Sequence, residues 1–339
     1  MGSGLSCNYG EIFLDSIERN ILLISFFGQN VGLGHRSRIT YLEQVLARNS
    51  ALQVDVLSIS ETQDQGLEPY FSASQSAAFA KKIAGQILES VSRKRPNVAI
   101  LDLPWRRFVR SDIEFILSPL IASADITVID GPNLKLSRPV RRVYPCISEP
   151  HYFGEKSDTF WGGENVLAPR RSSNWEWESG DRWLLLTGTT DTEKFLDKFE
   201  QLGNFSAGTF LVDWAVGPFA PEGLRERSSA IGMTWLGTDR LKSAQKAANY
   251  SLCRFGVSAL EMMALGTPTI ILPGWAESEN GEIEEIRKSE LAIVAESWDQ
   301  IRPEMARLGS NRSLCAKLSR NCLEFFSEVA DQTFIGHTK

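Results

Sequence analysis

The feature that most constrains the fold is a short apolar run that leads into a glycine-rich loop and then into an amphipathic segment. Residues 21–27 are Ile-Leu-Leu-Ile-Ser-Phe-Phe, a loop with Gly28, Gly32 and Gly34 follows, and apolar residues recur over 39–47. A short apolar run bounded by a turn is typical of a buried parallel strand. A helix that begins directly after such a loop points free N–H groups at a bound anion. The stretch therefore predicts strand, anion-binding loop and helix, although the glycines alone are also typical of an ordinary turn.

The same loop carries a histidine and departs from the dinucleotide-binding pattern. It reads Gly32-x-Gly34-His35-x-x-Arg38, with Ser37 at the place of the third glycine in G-x-G-x-x-G. No acidic residue ends the second predicted strand, so a nicotinamide or flavin enzyme is disfavoured. Histidine is the side chain best suited to proton transfer near neutral pH, which makes His35 a candidate general base.

Composition and charge exclude several classes of protein. The chain has 339 residues, of which 42% are hydrophobic and 23% charged, and this is typical of a soluble globular protein. A net charge of −6 disfavours a nucleic-acid partner. The five cysteines form no C-x-x-C pair and the three histidines are scattered, so we expect a reducing compartment and no zinc site. Neither a signal peptide nor a membrane span is apparent, and we expect a cytoplasmic protein.

Strands and helices alternate along the chain, which favours an α/β protein with two doubly wound parallel sheets. We predict a variable extension at 1–19, a first domain at 20–165, a linker at 166–182 and a second domain at 183–339. The predicted strands are 21–27, 54–59, 98–102 and 126–130 in the first domain, and 183–187, 209–212, 234–236, 250–254 and 269–272 in the second.

Two acidic residues and two basic segments stand out in the first domain. Asp102 and Asp130 close the third and fourth predicted strands, where ligands bind in such sheets, although loop hydrogen bonding explains each of them alone. The segments 104–110 and 138–142 combine arginines with aromatic or apolar residues. They suit contact with an anionic acceptor or a membrane surface, but we favour solvated loops with aromatic anchors because neither forms a long amphipathic helix.

The second domain repeats the order of strand, glycine loop and helix. Residues 183–187 are apolar and lead into Gly188-Thr189-Thr190-Asp191, with a helix predicted from Glu193. Hydroxyl groups beside a helix N-terminus are good phosphate ligands. This loop is therefore a second candidate for binding an anion.

A further glycine motif occurs at Gly256-Val257-Ser258-Ala259-Leu260-Glu261, followed by Leu265-Gly266-Thr267-Pro268. Gly256 allows close approach of a diphosphate, and Glu261 on the following helix can accept two hydrogen bonds from a ribose diol. The alternative is that Ser258 and Glu261 form a capping pair. Gly266 and Pro268 end the helix.

Together these motifs resemble those of the two-domain GT-B superfamily of nucleotide-sugar enzymes. Its members include MurG-type glycosyltransferases and PseG-type UDP-sugar hydrolases, and the likeness covers roughly residues 21–329. It implies two Rossmann-like domains that face each other across a cleft. The likeness rests on the loop 32–38, the segment 256–268 and Gly188-Thr189-Thr190-Asp191, which is similar to a Gly-Gly-Ser-Asp element of the hydrolases.

The resemblance also implies roles for individual residues. His35 would act as the catalytic base, and the second domain would bind the nucleotide through Gly256, Ser258, Glu261 and Asn280. The implied phosphate and sugar contacts are Gly32, Gly34, Arg38, Gly188, Thr189, Thr190 and Asp191, with Asp102 and Asp130 on the acceptor side. Neither metal nor other cofactor is expected, because helix ends would stabilise the leaving diphosphate. Asn280 stands where relatives often carry glutamine, and Thr189 replaces a glycine.

Three functions remain open on the sequence. The first is a glycosyltransferase that moves a sugar, by family default from a UDP donor, to a hydroxyl of a glycan or lipid-linked sugar in cell-surface glycan biosynthesis. The second is a PseG-like hydrolase that transfers the same sugar to water in nonulosonate biosynthesis. The third is a sugar-nucleotide-binding protein without turnover. Peripheral membrane contact also remains open.

Overall fold

The computed structural model describes residues 19–28, 34–60, 73–132, 136–149, 158–188, 192–203, 205, 210–216, 223–326 and 334. Within them lie two six-stranded sheets, both entirely parallel, with an α-helix between most successive strands. The predicted α/β class with two doubly wound sheets is confirmed.

The first sheet has the strand order β2-β1-β3-β4-β5-β6. Its strands are β1 (Arg19–Phe27), β2 (Leu52–Ser60), β3 (Val98–Asp102), β4 (Asp125–Ile129), β5 (Val140–Val143) and β6 (Thr159–Phe160). Its helices are α1 (Gly34–Leu46), α2 (Ala73–Lys94) and α3 (Arg110–Ile121). β1 pairs with β2 on one side and β3 on the other, so the direction of winding reverses between β1 and β3. Such a reversal opens a crevice at the carboxyl ends of the two strands.

The second sheet has the order β12-β11-β10-β7-β8-β9, and its winding reverses between β7 and β10. Its strands are β7 (Arg182–Leu186), β8 (Leu211–Ala215), β9 (Met233–Leu236), β10 (Tyr250–Cys253), β11 (Thr269–Ile271) and β12 (Ile293–Val294). The helices of this half are α4 (Thr192–Leu202), α5 (Leu224–Ala230), α6 (Leu241–Ala247), α7 (Val257–Ala264), α8 (Asn280–Lys288), α9 (Ile301–Ser310) and α10 (Arg312–Phe325).

Buried apolar side chains explain why these segments form strands. Ile21 to Ile24 of β1 are each no more than 1% exposed, and the central strands β3 and β10 are buried along their whole length. Strands covered by helices on both faces need continuous apolar runs, and these are the runs that the sequence presents. The core therefore lies on both faces of each sheet.

One sequence prediction is wrong. The segment 138–142, predicted as a solvated loop, supplies most of β5, and its Arg142 is buried. In the predicted linker 166–182, Leu167 packs with the first sheet and Val166 with the second. β1 begins at Arg19, inside the predicted extension.

The aromatic anchors predicted in segment 104–110 are confirmed. Trp105 and Phe108 are buried in the first core, and the Trp105 Nε1–H donates to the carbonyl of Ile129. At the other end of the chain, Phe334 packs with the first sheet, and its carbonyl accepts a hydrogen bond from Thr127 Oγ1 at 2.8 Å. Phe334 therefore packs with the first sheet, although its residue number falls within the predicted second domain.

Candidate functional site

The first part of the site lies in the crevice between β1 and β3. His35 and Arg38 lie three residues apart in the first turns of α1, which puts their side chains on one face of the helix. Asp102 is the last residue of β3, and Asp130 directly follows β4. The topology therefore brings this pair together with two aspartates that lie 64 and 92 residues from Arg38 in the sequence.

Asp102 fixes the orientation of the His35 ring. Its Oδ1 lies 2.5 Å from His35 Nδ1, and the Asp102 side chain is 0% exposed whereas that of His35 is 16% exposed. Burial acts to raise the pKa of Asp102, but the charges of Arg38 and His35 and their hydrogen bonds outweigh it and lower this pKa. An ionised carboxylate only accepts, so Nδ1 must carry the proton and Nε2 keeps its lone pair. Among the described residues none makes a hydrogen bond to Nε2, and a proton acceptor is thus directed away from Asp102.

Arg38 joins the two aspartates. Its Nε and Nη2 donate to the two oxygens of Asp102 at 2.7 and 2.8 Å, and its Nη1 donates to Asp130 Oδ2 at 2.7 Å. Burial opposes the charge of Arg38, but Asp102 and Asp130 outweigh it and raise the pKa of the guanidinium. One guanidinium thus bridges two carboxylates, Asp102 on β3 and Asp130 directly after β4.

Two of the predicted site residues lie inside this network. Arg38 is buried and directs its Nε, Nη1 and Nη2 donors at the two aspartates. The side chain of Asp102 is 0% exposed, and its Oδ1 lies against His35 Nδ1. Asp130 differs, since it is 42% exposed. Its backbone has φ of 54°, a left-handed conformation that is uncommon outside glycine and often marks functional positions.

The second part of the site lies where the winding of the other sheet reverses. Gly188 follows β7 with φ of 79°, and Gly256 follows β10 with φ of 141° and caps the N-terminus of α7. Both angles favour glycine, and an added Cβ would meet no atom within 4 Å at either position. The two glycines therefore leave room beside a helix N-terminus, which suits a phosphate group.

The predicted nucleotide-side residues take up distinct positions around this opening. Glu261 is half-buried on α7 and its Oε2 accepts a hydrogen bond from Gln245 Nε2 at 2.9 Å. Burial raises the pKa of Glu261. Asn280 is exposed at the start of α8, and its Oδ1 accepts from Trp275 Nε1 at 3.1 Å. Because Gly256 occupies the cap and no side chain bonds there, the alternative of a Ser258–Glu261 capping pair is wrong.

The two parts of the site meet at the helix N-termini. A Cβ at Gly34, in the first turn of α1, would lie 3.8 Å from Val257 Cγ2 at the start of α7. His35 follows Gly34 directly, so the histidine lies beside the end of the helix that Gly256 caps. His35 and a helix N-terminus without a side-chain cap are therefore neighbours. Gly32, Thr189, Thr190 and Asp191 lie outside the described residues.

The sequence did not identify three further residues near the site. Gln245 was not singled out, although it is the partner of Glu261, and neither was Arg254, which follows β10 directly and lies over the Phe195 ring at 5.7 Å. Glu282 accepts a backbone hydrogen bond from Ile147 at 3.0 Å. Of these three residues, only Arg254 could have been recognised in the sequence, because a cation two residues before Gly256 suits an anionic ligand.

Two searches of the described part of the chain gave negative results. No cluster of His, Cys, Asp or Glu there could hold a metal ion. No helix in those same ranges is long and apolar enough to cross a membrane.

Solved structures with the same architecture are numerous. An MnaA–UDP co-structure from S. aureus superposes with a TM-score of 0.59 at 11% identity, covering 93% of this chain and 94% of that one. A UDP-GlcNAc 2-epimerase from Neisseria meningitidis bound to UDP-GlcNAc gives 0.54 at 9% identity, covering 94% and 96%. The spinosyn rhamnosyltransferase SpnG complexed with thymidine diphosphate gives 0.53 at 10% identity, covering 91% and 96%. The chain has the GT-B fold.

This likeness is one of structure alone. No protein-family model matches the sequence, and no curated protein matches it either. The expected GT-B architecture is confirmed, and function has to be argued from the site.

Proposed function

We propose that this chain is a glycosyltransferase that moves a sugar from a nucleoside-diphosphate donor, UDP-linked by preference, to an acceptor hydroxyl. The observation that carries the proposal is the close approach of the two helix N-termini, where a Cβ added at Gly34 would lie 3.8 Å from Val257 Cγ2. It sets His35, held by Asp102, beside the open N-terminus of α7 at Gly256. A transfer of this kind needs a base at one face of the sugar and stabilisation of the leaving diphosphate at the other.

Each part of the site has a task in this reaction. Nε2 of His35 removes the proton of the attacking hydroxyl, while Asp102 and the excess negative charge of the cluster stabilise the imidazolium that forms. The leaving diphosphate lies at Gly188 and Gly256, and Glu261 accepts from the ribose hydroxyls. Asp130, which is partly exposed, contacts the acceptor.

The donor and the cellular setting follow from the same chemistry. The N–H groups of α7 and the glycine loops supply the charge stabilisation that a metal would give, so we propose a reaction without metal or other cofactor. The structures similar in fold carry UDP, UDP-GlcNAc or thymidine diphosphate, which supports a nucleotide-sugar donor. We propose action in the cytoplasm on a glycan or lipid-linked sugar of the cell surface.

A second candidate is a 2-epimerase that acts on the sugar nucleotide itself. The similarity in fold to the UDP-GlcNAc 2-epimerase from Neisseria meningitidis, which is bound to UDP-GlcNAc, favours it. In that case His35 removes a proton from the sugar carbon instead of from an acceptor hydroxyl.

One experiment separates these functions. The protein is incubated in D₂O with a panel of UDP- and TDP-sugars, with and without monosaccharide and lipid-linked acceptors, and the products are followed by NMR. Transfer predicts nucleotide release that depends on an acceptor. Equal release of nucleotide and free sugar without acceptor would instead establish a hydrolase, and deuterium at C2 of retained donor an epimerase. His35→Ala should abolish turnover, whereas Ser37→Ala, an exposed position on the same helix, should not.

A further inference from the structure

Glu282 connects the two halves of the molecule through a group of donors from one short loop. It is the third residue of α8, and its partners are Cys146, Ile147 and Ser148, which follow β5 of the first sheet. Its Oε2 accepts the backbone N–H of Ile147 at 3.0 Å, and its Oε1 accepts the Ser148 hydroxyl at 3.2 Å. The Cys146 thiol of the same loop donates to the Ser148 carbonyl at 3.3 Å, and the polar groups of residues 146–148 together act to lower the pKa of Glu282.

The environment of Glu282 indicates a specific contact. Burial raises the pKa of Glu282, although the donors of the loop act against that change. A partly buried carboxylate is costly unless donors surround it, and here one loop supplies them all. Apolar packing supports the same contact, because Ile147 lies in the hydrophobic cluster of the second sheet together with Ile283.

This contact lies between the two parts of the candidate site. On the α8 side, Glu282 is two residues from Asn280, the predicted donor contact. On the other side, the Tyr144 hydroxyl donates to the carbonyl of Gly131 at 2.5 Å, and Gly131 directly follows Asp130. Burial raises the pKa of the Cys146 thiol, and the charges of Glu282 and Asp130 act in the same direction.

We infer that Glu282 is a positioning residue that sets the distance between α8 on the nucleotide side and the His35–Asp130 group on the acceptor side. The expected effect on kcat rests on the proposed function. The expected effect on amide exchange rests only on the contact between Glu282 and the loop 146–148. Reacting groups on separate domains must be held within about 1 Å of productive geometry, and a misplacement of that size costs about 100-fold in rate.

The matched variants are Glu282→Gln and Glu284→Gln. Glutamine at 282 keeps one oxygen but turns an NH₂ group towards the N–H and O–H donors of the loop. Glu284 lies on the same helix with its side chain 70% exposed and pairs with Arg287, so its variant controls for charge and helix propensity. For Glu282→Gln we expect kcat to fall 10- to 100-fold while the Kd for UDP stays within twofold, because the nucleotide site belongs to the second domain.

Amide hydrogen exchange tests the contact without any turnover. Exchange at the Ile147 and Ser148 amides should rise at least tenfold in Glu282→Gln and stay unchanged in Glu284→Gln. Unchanged exchange at Ile147 would overturn the contact, and so the inference, whatever reaction the protein catalyses. Increased exchange with unaltered kcat in an active enzyme would overturn the positioning role.

If Glu282→Gln does not fold, Ser148→Ala provides a second test of the same contact. It removes one donor from the other side of the contact, and we expect the same pattern at smaller size, about a threefold fall in kcat with an unaltered Kd for UDP. The effects of the two substitutions should be non-additive, since they remove the same interaction. A parallel loss of UDP affinity and kcat in either variant would indicate a merely structural role and would refute the inference.

Discussion

The helix that follows β1 and the helix that follows β10 both begin at the carboxyl edge of a parallel sheet, yet they present opposite kinds of surface. α1 starts with His35 and Arg38, whose polar atoms are held by Asp102 and Asp130. α7 starts at Gly256, where no side chain caps the helix and the space beyond the glycine is open.

In the proposed reaction, this difference divides the chemistry between the two halves. A base works best when its tautomer and direction are fixed before the substrate arrives, and an ion network provides that. An anion site needs backbone N–H groups that nothing else occupies. The N-terminus of α1 is therefore preorganised by side chains, whereas the N-terminus of α7 is open because no side chain caps it.

The largest effect should come from the carboxylate that fixes His35. In Asp102→Asn the amide can donate to Nδ1, which moves the ring proton to Nε2 and removes the base. We expect kcat to fall about 10²- to 10⁴-fold with unchanged nucleotide affinity, measured by steady-state kinetics and calorimetry. Asp112→Asn, which changes a buried aspartate bonded to Ser76 outside the site, should leave kcat within twofold. More than a tenth of the wild-type kcat in Asp102→Asn would contradict this role.

The next largest effect should be a loss of stability when Arg38, the cation that bonds Asp102 and Asp130, is replaced. Arg38→Met leaves Asp102 buried without its cation, and we expect the free energy of unfolding to fall by about 3–5 kcal/mol in urea titrations. The exposed Arg36, which lies over the Phe27 ring at 4.9 Å, provides a control, and Arg36→Met should cost about 0.5–1 kcal/mol.

Acid should reduce the loss caused by Arg38→Met. The pKa of Asp102 is lowered in the folded protein, so its contribution to stability is present above the unfolded value of about 4 and is lost as the pH falls through the folded value. A loss below 1 kcal/mol at pH 7, or one that does not shrink in acid, would argue against the network.

The strands show which parts of the fold could be predicted from the sequence. β1, β3 and β10 were predictable because strands covered on both faces are continuous apolar runs. β5 was not, because its Val-Arg-Arg-Val sequence has the charge of a loop while Arg142 is in fact buried.

Site residues were predictable only where a local motif carried them. His35 and Gly256 stand in glycine motifs, whereas the role of Arg38 depends on aspartates 64 and 92 residues away in sequence. Glu282 receives its donors from a loop 135 residues distant. No local pattern can signal such contacts, because they arise when the sheets assemble.

Substitutions at two glycines test the role of the open N-terminus of α7. An added Cβ meets nothing within 4 Å at Gly256 or at Gly85, but only Gly256 has a positive φ, at 141°. Gly256→Ala should therefore cost about 1–3 kcal/mol through backbone strain and weaken UDP binding. Gly85→Ala, in the interior of α2, should instead stabilise by about 0.5–1 kcal/mol. Thermal unfolding and calorimetry measure both, and equal effects at the two positions would refute the argument from φ.

The smallest effect concerns the carboxylate on α7 and its response to pH. Burial raises the pKa of Glu261 in the folded protein, so its favourable contribution is fully present below the unfolded pKa and is lost as the pH rises through the folded value. Glu261→Gln cannot ionise, and its free energy of unfolding relative to wild type should therefore increase between pH 4 and pH 8. Its Kd for UDP should rise about tenfold, because glutamine offers one acceptor oxygen to the ribose.

Glu284→Gln, at an exposed position on α8, should show neither change. If the stability difference of Glu261→Gln were independent of pH while UDP binding weakened, burial would not govern the ionisation of Glu261. If instead the stability difference followed pH and UDP bound as in wild type, Glu261 would be a structural group of α7 and Gln245. The open helix end would then hold its ligand through backbone groups alone, which would sharpen the contrast with the side-chain network around His35.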